Sequence, residues 1–190
     1  MTRQLRCLHF ARPPAALLAL ALALAACATP TSIPDGGNDF IWPLDVGVIV
    51  STYGPKAGNR YNDGMNIAAP AGTPVRAAAD GVVIYTGNEL RSFGNLILIR
   101  HAAGWSSAYA HTETVRVKRN QKVGKGAIIA AVGNSGSVPC SQLHFELRRE
   151  ANAVDPLALL PKRPRAMTAS TSSGGGETGC PSGQTERSGS

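Results

Sequence analysis

Five side chains in this sequence have the types and spacing from which a reactive site could be built. They are Asn62 and Asn66 in Asn62-Asp63-Gly64-Met65-Asn66, His111 in Tyr109-Ala110-His111, and Gln142 and His144 in Gln142-Leu143-His144. Imidazole nitrogens suit metal ligation and proton transfer near neutral pH, whereas Asn and Gln amides carry no charge and offer only hydrogen bonds. Side chains of an extended strand alternate faces, so Gln142 and His144 share one face. The same period, applied to the first segment as a strand, sends positions 62, 64 and 66 one way and Asp63 the other. A bulge there would re-aim Asp63 toward the site. Taken singly, each histidine reads as a polar residue held in a sheet, and only their company argues for a site.

That company includes the run Ala68-Ala69-Pro70-Ala71-Gly72-Thr73-Pro74-Val75, then Gly81, then Phe145-Glu146. In this order the segments resemble the LytM (lysostaphin-type) domain, a zinc peptidase that cuts peptidoglycan cross-links, from Trp42 to Leu160. Active members of that family read His-x-Gly-x-Asp in the first segment and His-x-His in the last, with a further histidine at the position of His111. The resemblance puts the three metal ligands on Asn62, Asn66 and His144, and the two catalytic histidines on His111 and Gln142. Protein zinc sites are built from imidazole, thiolate or carboxylate donors, so one ligand of three remains. The implied site is degenerate: no zinc, no catalytic residue, and His111 and Gln142 as remnants. An atypical metal site that recruits Asp63 is the alternative.

Degenerate LytM proteins of the NlpD and EnvC type activate periplasmic N-acetylmuramoyl-L-alanine amidases in cell division. The resemblance therefore implies a noncatalytic groove, floored by Asn62, Asn66, His111, Gln142 and His144, that binds a partner amidase and leaves the chemistry to it. Two other readings stay open. One is a noncatalytic peptidoglycan-binding lipoprotein, and the other a zinc endopeptidase with an atypical ligand set.

The elements that must position these residues read as strands. Short apolar or alternating runs at 47–51, 81–85, 95–101, 106–110, 127–132 and 142–148 are rich in β-branched residues and punctuated by Gly, Pro and Asn. No amphipathic helix is evident between them, so the fold class is all-β, in one domain over 40–161. Thr73 to Val83 and Gln121 to Ile129 echo each other as a turn, a Val and an apolar strand. That half-repeat fits the duplicated hybrid motif of the LytM fold, a β-sandwich or barrel-sandwich hybrid. It also fits biotinyl and lipoyl carriers, but neither Lys122 nor Lys125 has the apolar hairpin context of a modified lysine.

Both ends look non-globular. Residues 1–26 carry Arg3, Arg6 and Arg12, then an apolar run to Leu24-Ala25-Ala26-Cys27. Such a run reaches only about 18 Å as a helix against roughly 30 Å of bilayer hydrocarbon, so it reads as an export signal. Leu-Ala-Ala-Cys resembles the bacterial lipobox, which implies lipidation of Cys27, and Ala28 after it implies sorting to the outer membrane, facing the periplasm. Residues 27–39 form a short tether, of about 40 Å at most. Residues 162–190 are rich in Ser, Thr and Gly and predict a disordered tail. With Cys7 in the leader and Cys27 lipidated, Cys140 and Cys180 are left either to pair or to stay free.

The chain has 19 basic and 12 acidic residues, and three of the basic ones fall in the leader. Arg116, Lys118, Arg119, Lys122 and Lys125 cluster about one hairpin, and Lys162, Arg163 and Arg165 follow the domain. Such a surface attracts anionic wall or membrane groups, or is merely solvated. Without aromatic residues interleaved for stacking, it does not suggest nucleic acid. The partners implied are the amidase, peptidoglycan and the membrane.

Overall fold

Runs of small and β-branched residues, broken every few positions by turn formers, can bury only one face each and must pair into a sheet to do so. The computed structural model describes residues 39–162, 164–165 and 167–169. The residues read as an export signal (1–26), Cys27 and the expected tether to residue 38 lie outside the described residues. By their contacts, residues 34–190 form one of two units in the chain, and every described residue belongs to it.

The strands are β1 Gly47–Ser51, β2 Gly54–Lys56, β3 Arg60–Asn62, β4 Met65–Ala68, β5 Pro74–Arg76, β6 Gly81–Gly87 and β7 Asn95–Arg100. They continue with β8 Trp105–Val115, β9 Lys122–Val123, β10 Ile128–Val132, β11 Gln142–Arg149, β12 Asn152–Val154 and β13 Met167–Ala169. Helical structure among the described residues is limited to two single 3-10 turns, Ala57–Asn59 and Pro156–Ala158. The main sheet runs β13-β1-β4-β11-β8-β7-β6-β9, with β10 joining β5 to β8 and β12 beside β11, while β2 and β3 form a separate hairpin. All six strands expected from sequence are present. Those not foreseen are two to four residues long, too short to display a period.

The internal echo has a structural counterpart. Each short arm pairs with the long strand of the other half: β5 lies antiparallel to β10, with Val75 opposite Ala130, and β9 lies antiparallel to β6, with Val123 opposite Gly81. Neither half can satisfy its own strand edge alone, so the two halves fold as one body.

Alternation along β11 sets the core. Leu143, Phe145 and Leu147 are fully buried with Met65 and Ile67 of β4, Tyr109 of β8, and Ile97 and Ile99 of β7. Phe40, Trp42 and Leu44 close this core from the N-terminal side. A polar chain crosses it: His101 Nδ1 lies 2.8 Å from the Asp80 carbonyl and Nε2 lies 2.7 Å from Ser107 Oγ, which is 2.9 Å from the Tyr109 hydroxyl. That hydroxyl accepts the Ala78 N–H at 2.8 Å. Burial pushes the Tyr109 phenol up to about 12 and holds His101 below its ordinary value.

Met167–Ala169 correct the expectation of disorder throughout 162–190. They run parallel to β1, with Met167 opposite Gly47 and Ala169 opposite Ile49. Composition weighs only side-chain burial, whereas the unpaired edge of β1 offers main-chain hydrogen bonds to any extended segment. The rest of the tail lies outside the described residues. Cys140 is disulfide-bonded, and every other cysteine of the chain also lies outside them.

Candidate functional site

On the face of β11 opposite the core stand Gln142, His144, Glu146 and Arg148. Pairing with β4 sets His144 opposite Asn66, and pairing with β8 sets His144 opposite Ala110 and Glu146 opposite Ala108. Directly opposed residues share a face, so β4, β11 and β8 build one floor. Gly64 lets β4 approach that closely. A Cβ at this position would lie 2.2 Å from the Phe145 carbonyl oxygen, a separation no side chain tolerates.

The first segment is not one strand, contrary to the extended reading. β3 ends at Asn62, and the Gly64 N–H donates to Asn62 Oδ1 at 3.2 Å, a side-chain turn of the kind Asn favours. The chain reverses there and returns the Asn62 amide over Asn66. Asn62 Nδ2 lies 3.0 Å from Asn66 Oδ1, from Ser51 Oγ and from the Thr52 carbonyl. Asn66 Nδ2 in turn donates to Gln142 Oε1 at 2.9 Å, and Gln142 Nε2 to the Cys140 carbonyl at 3.4 Å. Three amides are thus linked head to tail, each accepting from one neighbour or the backbone and donating to the next.

His144 closes the chain on its other side. Its Nδ1 lies 3.3 Å from Asn66 Oδ1 and its Nε2 lies 2.9 Å from Glu146 Oε1. Glu146 is only 3% exposed. Burial opposes its ionisation, but hydrogen bonds and attraction from His144 and Arg148 outweigh that and hold its carboxyl below the ordinary carboxylate value. Arg148 bonds Glu146 and also reaches Asp63, 3.8 Å away and half exposed. Asp63 is therefore engaged at the end of the groove by Arg148.

His111 sits where β8 bends, with φ 63, in the left-handed region that a non-glycine residue enters rarely. Its N–H is held by the Phe93 carbonyl at 2.9 Å. Its Nδ1 lies 2.9 Å from the Ser135 carbonyl, which can only accept, so Nδ1 carries the proton. Burial drives the His111 pKa down to about 4, with repulsion from His144 adding to it and the Ser135 bond opposing it. The ring is neutral at pH 7, 6.1 Å between centroids from His144. Phe93 packs on His144 at 5.7 Å and leads into a small apolar cluster of Leu96, Ala108 and Ala110, with Tyr85 and Leu98.

All five residues singled out from sequence thus meet in one place. His111, Gln142 and His144 are each less than 10% exposed, so they form a closed floor, while Asn62 and Asn66 are half-buried. The groove's more exposed group is Arg148, and Tyr61 is exposed on the β2–β3 hairpin next to Asn62. Tyr61 is 57% exposed and stacks edge-on against Tyr53 at 5.5 Å. Sequence reading used Glu146 only to recognise the family and gave neither it nor Arg148 a place in the site. The period of two that joins Gln142 to His144, carried on for four residues, would have found both.

The profile of peptidase family M23 matches residues 60–156, half the chain and all five of these positions. The chain belongs to peptidase family M23. Among curated relatives of this M23 domain, the cell division protein DipM of Caulobacter vibrioides is 45% identical over 144 residues, 71% of this chain and 24% of that protein. The murein hydrolase activator NlpD of Escherichia coli is 43% identical over 122 residues, 64% of this chain and 31% of that protein. The chain spans well under half the length of either. Among solved structures, the catalytic domain of the prophage-encoded M23 protein EnpA from Enterococcus faecalis is 30% identical with a TM-score of 0.57, over 63% of this chain and 96% of that one. The M23 neighbours share the antiparallel all-β architecture.

Proposed function

We propose that this M23 domain is a noncatalytic regulator of cell-wall hydrolysis, lipid-anchored at Cys27 in the outer membrane and facing the periplasm, which binds and activates an N-acetylmuramoyl-L-alanine amidase. The observation that carries this reading is the amide chain Asn62–Asn66–Gln142, whose members stand at the positions to which the resemblance assigns two of the family's ligands and one of its catalytic histidines. The donor set does not fit zinc. Asn62 and Asn66 point N–H groups into the site, Asn66 Oδ1 is shared by Asn62 and His144, and both His144 nitrogens face oxygen partners. Among the described residues, no three His, Cys, Asp or Glu side chains are grouped to hold a metal. Among the described residues nothing bonds His111 Nε2, but a general base needs a substrate activated beside it, and no group of described side chains there is built to hold a Lewis acid.

The name of the NlpD relative supports activation over catalysis, and that of DipM supports a role in cell division. The groove would act by binding the open form of the amidase more tightly than the closed form, since a ligand shifts an equilibrium only through differential affinity. A coupling of about 1 to 3 kcal/mol gives roughly 5- to 150-fold activation.

Every described core contact lies within residues 39–169, so the exported chain without its anchor, residues 28–190, retains the whole fold. Dye release from labelled sacculi by this chain, alone and with the host amidase, tests the proposal. Release only with the amidase, above the amidase's own rate, is expected. Release by the chain alone, abolished by chelator, would overturn the proposal in favour of a zinc endopeptidase with an atypical ligand set. Binding to sacculi without effect on the amidase would reduce it to a peptidoglycan-binding lipoprotein.

A further inference from the structure

The basic residues noted in the sequence gather at one end of the fold, around the point where the N-terminal tether enters. Arg116, Lys118, Arg119, Lys122 and Lys125 are all exposed. The first four make no ion pair among the described residues. The loop that bears them folds back on the start of β6: the Asn120 N–H donates to the Val83 carbonyl, Val83 N–H to the Gln121 carbonyl, and Lys122 pairs with Val82. Lys125 then forms an ion pair with Asp39, the first described residue of the chain, while Asp80 accepts the Lys125 N–H at 2.6 Å. A second basic stretch arrives from the other end of the sequence. Trp42 Nε1 donates to the Pro161 carbonyl at 2.9 Å, which brings exposed Lys162 near the same entry.

We infer that this end of the domain is a membrane-facing surface that binds the headgroups of anionic phospholipids. For where the membrane lies, the inference rests on the lipid anchor proposed above: about twelve residues separate Cys27 from Asp39, a span of at most roughly 40 Å. Each Lys or Arg near an anionic surface adds about 1 kcal/mol, and the field dies away within a Debye length of about 8 Å, so only charges at the anchored end count. Asp39 and Asp80 both engage Lys125, and Asp45 is held by Arg76, which also donates to the Gly126 carbonyl. Phe40, next to Asp39, packs against Trp105 on the core face of β8, 5.3 Å between rings. Ala108 and Ala110, on the opposite face of that strand, line the groove.

Cosedimentation of residues 28–190 with phosphatidylcholine vesicles and with phosphatidylcholine–phosphatidylglycerol vesicles tests this without the anchor. Binding to the anionic vesicles alone is expected, weakening as salt is raised. Reversal by Arg116→Glu, Lys118→Glu, Arg119→Glu and Lys122→Glu should lower it roughly tenfold or more. Equal binding to both vesicles, binding to neither, or binding untouched by both salt and charge reversal would overturn the inference. So would salt-sensitive binding to purified sacculi with no preference for anionic vesicles, which would assign the patch to the cell wall. Mass spectrometry of the exported full chain reports the acyl group on Cys27 separately, so a missing anchor is distinguishable from an inactive patch.

Discussion

Asn66 Nδ2 donates to Gln142 Oε1 across 2.9 Å, joining residues 76 positions apart in sequence. The bond ties β4 to β11 through side chains. Asn66→Ala removes the acceptor for Asn62 and His144 and the donor for Gln142 together. Leaving buried polar groups without partners costs about 1 to 3 kcal/mol. Urea denaturation should show that loss for Asn66→Ala, and a smaller one for Asn62→Ala, whose site is more open to water.

Zinc content follows from the same chain. The purified protein should retain no stoichiometric zinc after dialysis. The variant Asn62→His, Asn66→Asp, Gln142→His should retain about one ion, because it restores two ligands beside His144 and a histidine next to them. Atomic emission of the dialysed proteins decides it. One zinc per chain in the unaltered protein would remove the basis for a noncatalytic groove.

Acid should destabilise the domain in two steps. His111 falls from an ordinary 6.5 to about 4 on folding, so between those values the unfolded chain binds more protons and stability drops as pH falls, levelling off below about 4. Glu146 is held below its ordinary 4.5, so its contribution is present above that value and is lost as pH falls through the depressed folded value. His111→Asn, which suits the left-handed backbone, should flatten the first step. Glu146→Gln should flatten the second by lowering stability above it, because Arg148 loses its counter-charge and His144 a carboxylate acceptor. Thermal melts against pH resolve the two by slope.

What could be read from sequence depended on range. The six longer strands announce themselves because their side chains alternate over five or more residues, and the five site positions because their order along the chain is specific. The Asx turn at Asn62 was hidden, since the same residues read equally well as a strand until the Gly64 N–H is seen to bond Asn62 Oδ1. The cross-pairing of β5 with β10 and β6 with β9 was only hinted at by the repeat, because two- and three-residue strands carry no period of their own. Ser135 as the partner of His111 lies 24 positions away in a loop, and nothing local marks it.

The buried chain through Tyr109 makes a prediction independent of the groove. Tyr109→Phe keeps the ring against Phe145 but leaves the Ala78 N–H and Ser107 without their partner. A loss of about 1 to 3 kcal/mol is expected in urea denaturation, with amidase stimulation intact at temperatures where the fold is populated. Loss of stimulation in a fully folded Tyr109→Phe would mean that the core face, and not the groove, carries the regulatory contact.

Tyr61 provides the complementary case. Its ring is more than half exposed and held edge-on by Tyr53, on the hairpin whose next residue, Asn62, enters the groove, so it stands beside the groove without supporting the core. Exposed, pre-ordered Tyr and Arg side chains carry much of the energy of protein interfaces. The floor residues His111, Gln142 and His144 are too enclosed to contribute comparable area. Tyr61→Ala should therefore leave the melting temperature nearly unchanged and reduce amidase stimulation by about tenfold or more, read as a shift in the half-maximal activator concentration. A weakened affinity at unchanged maximal stimulation places Tyr61 in the docking contact. An unchanged titration would move the partner's anchor to the other side of the groove, toward Phe93 and the exposed Leu90.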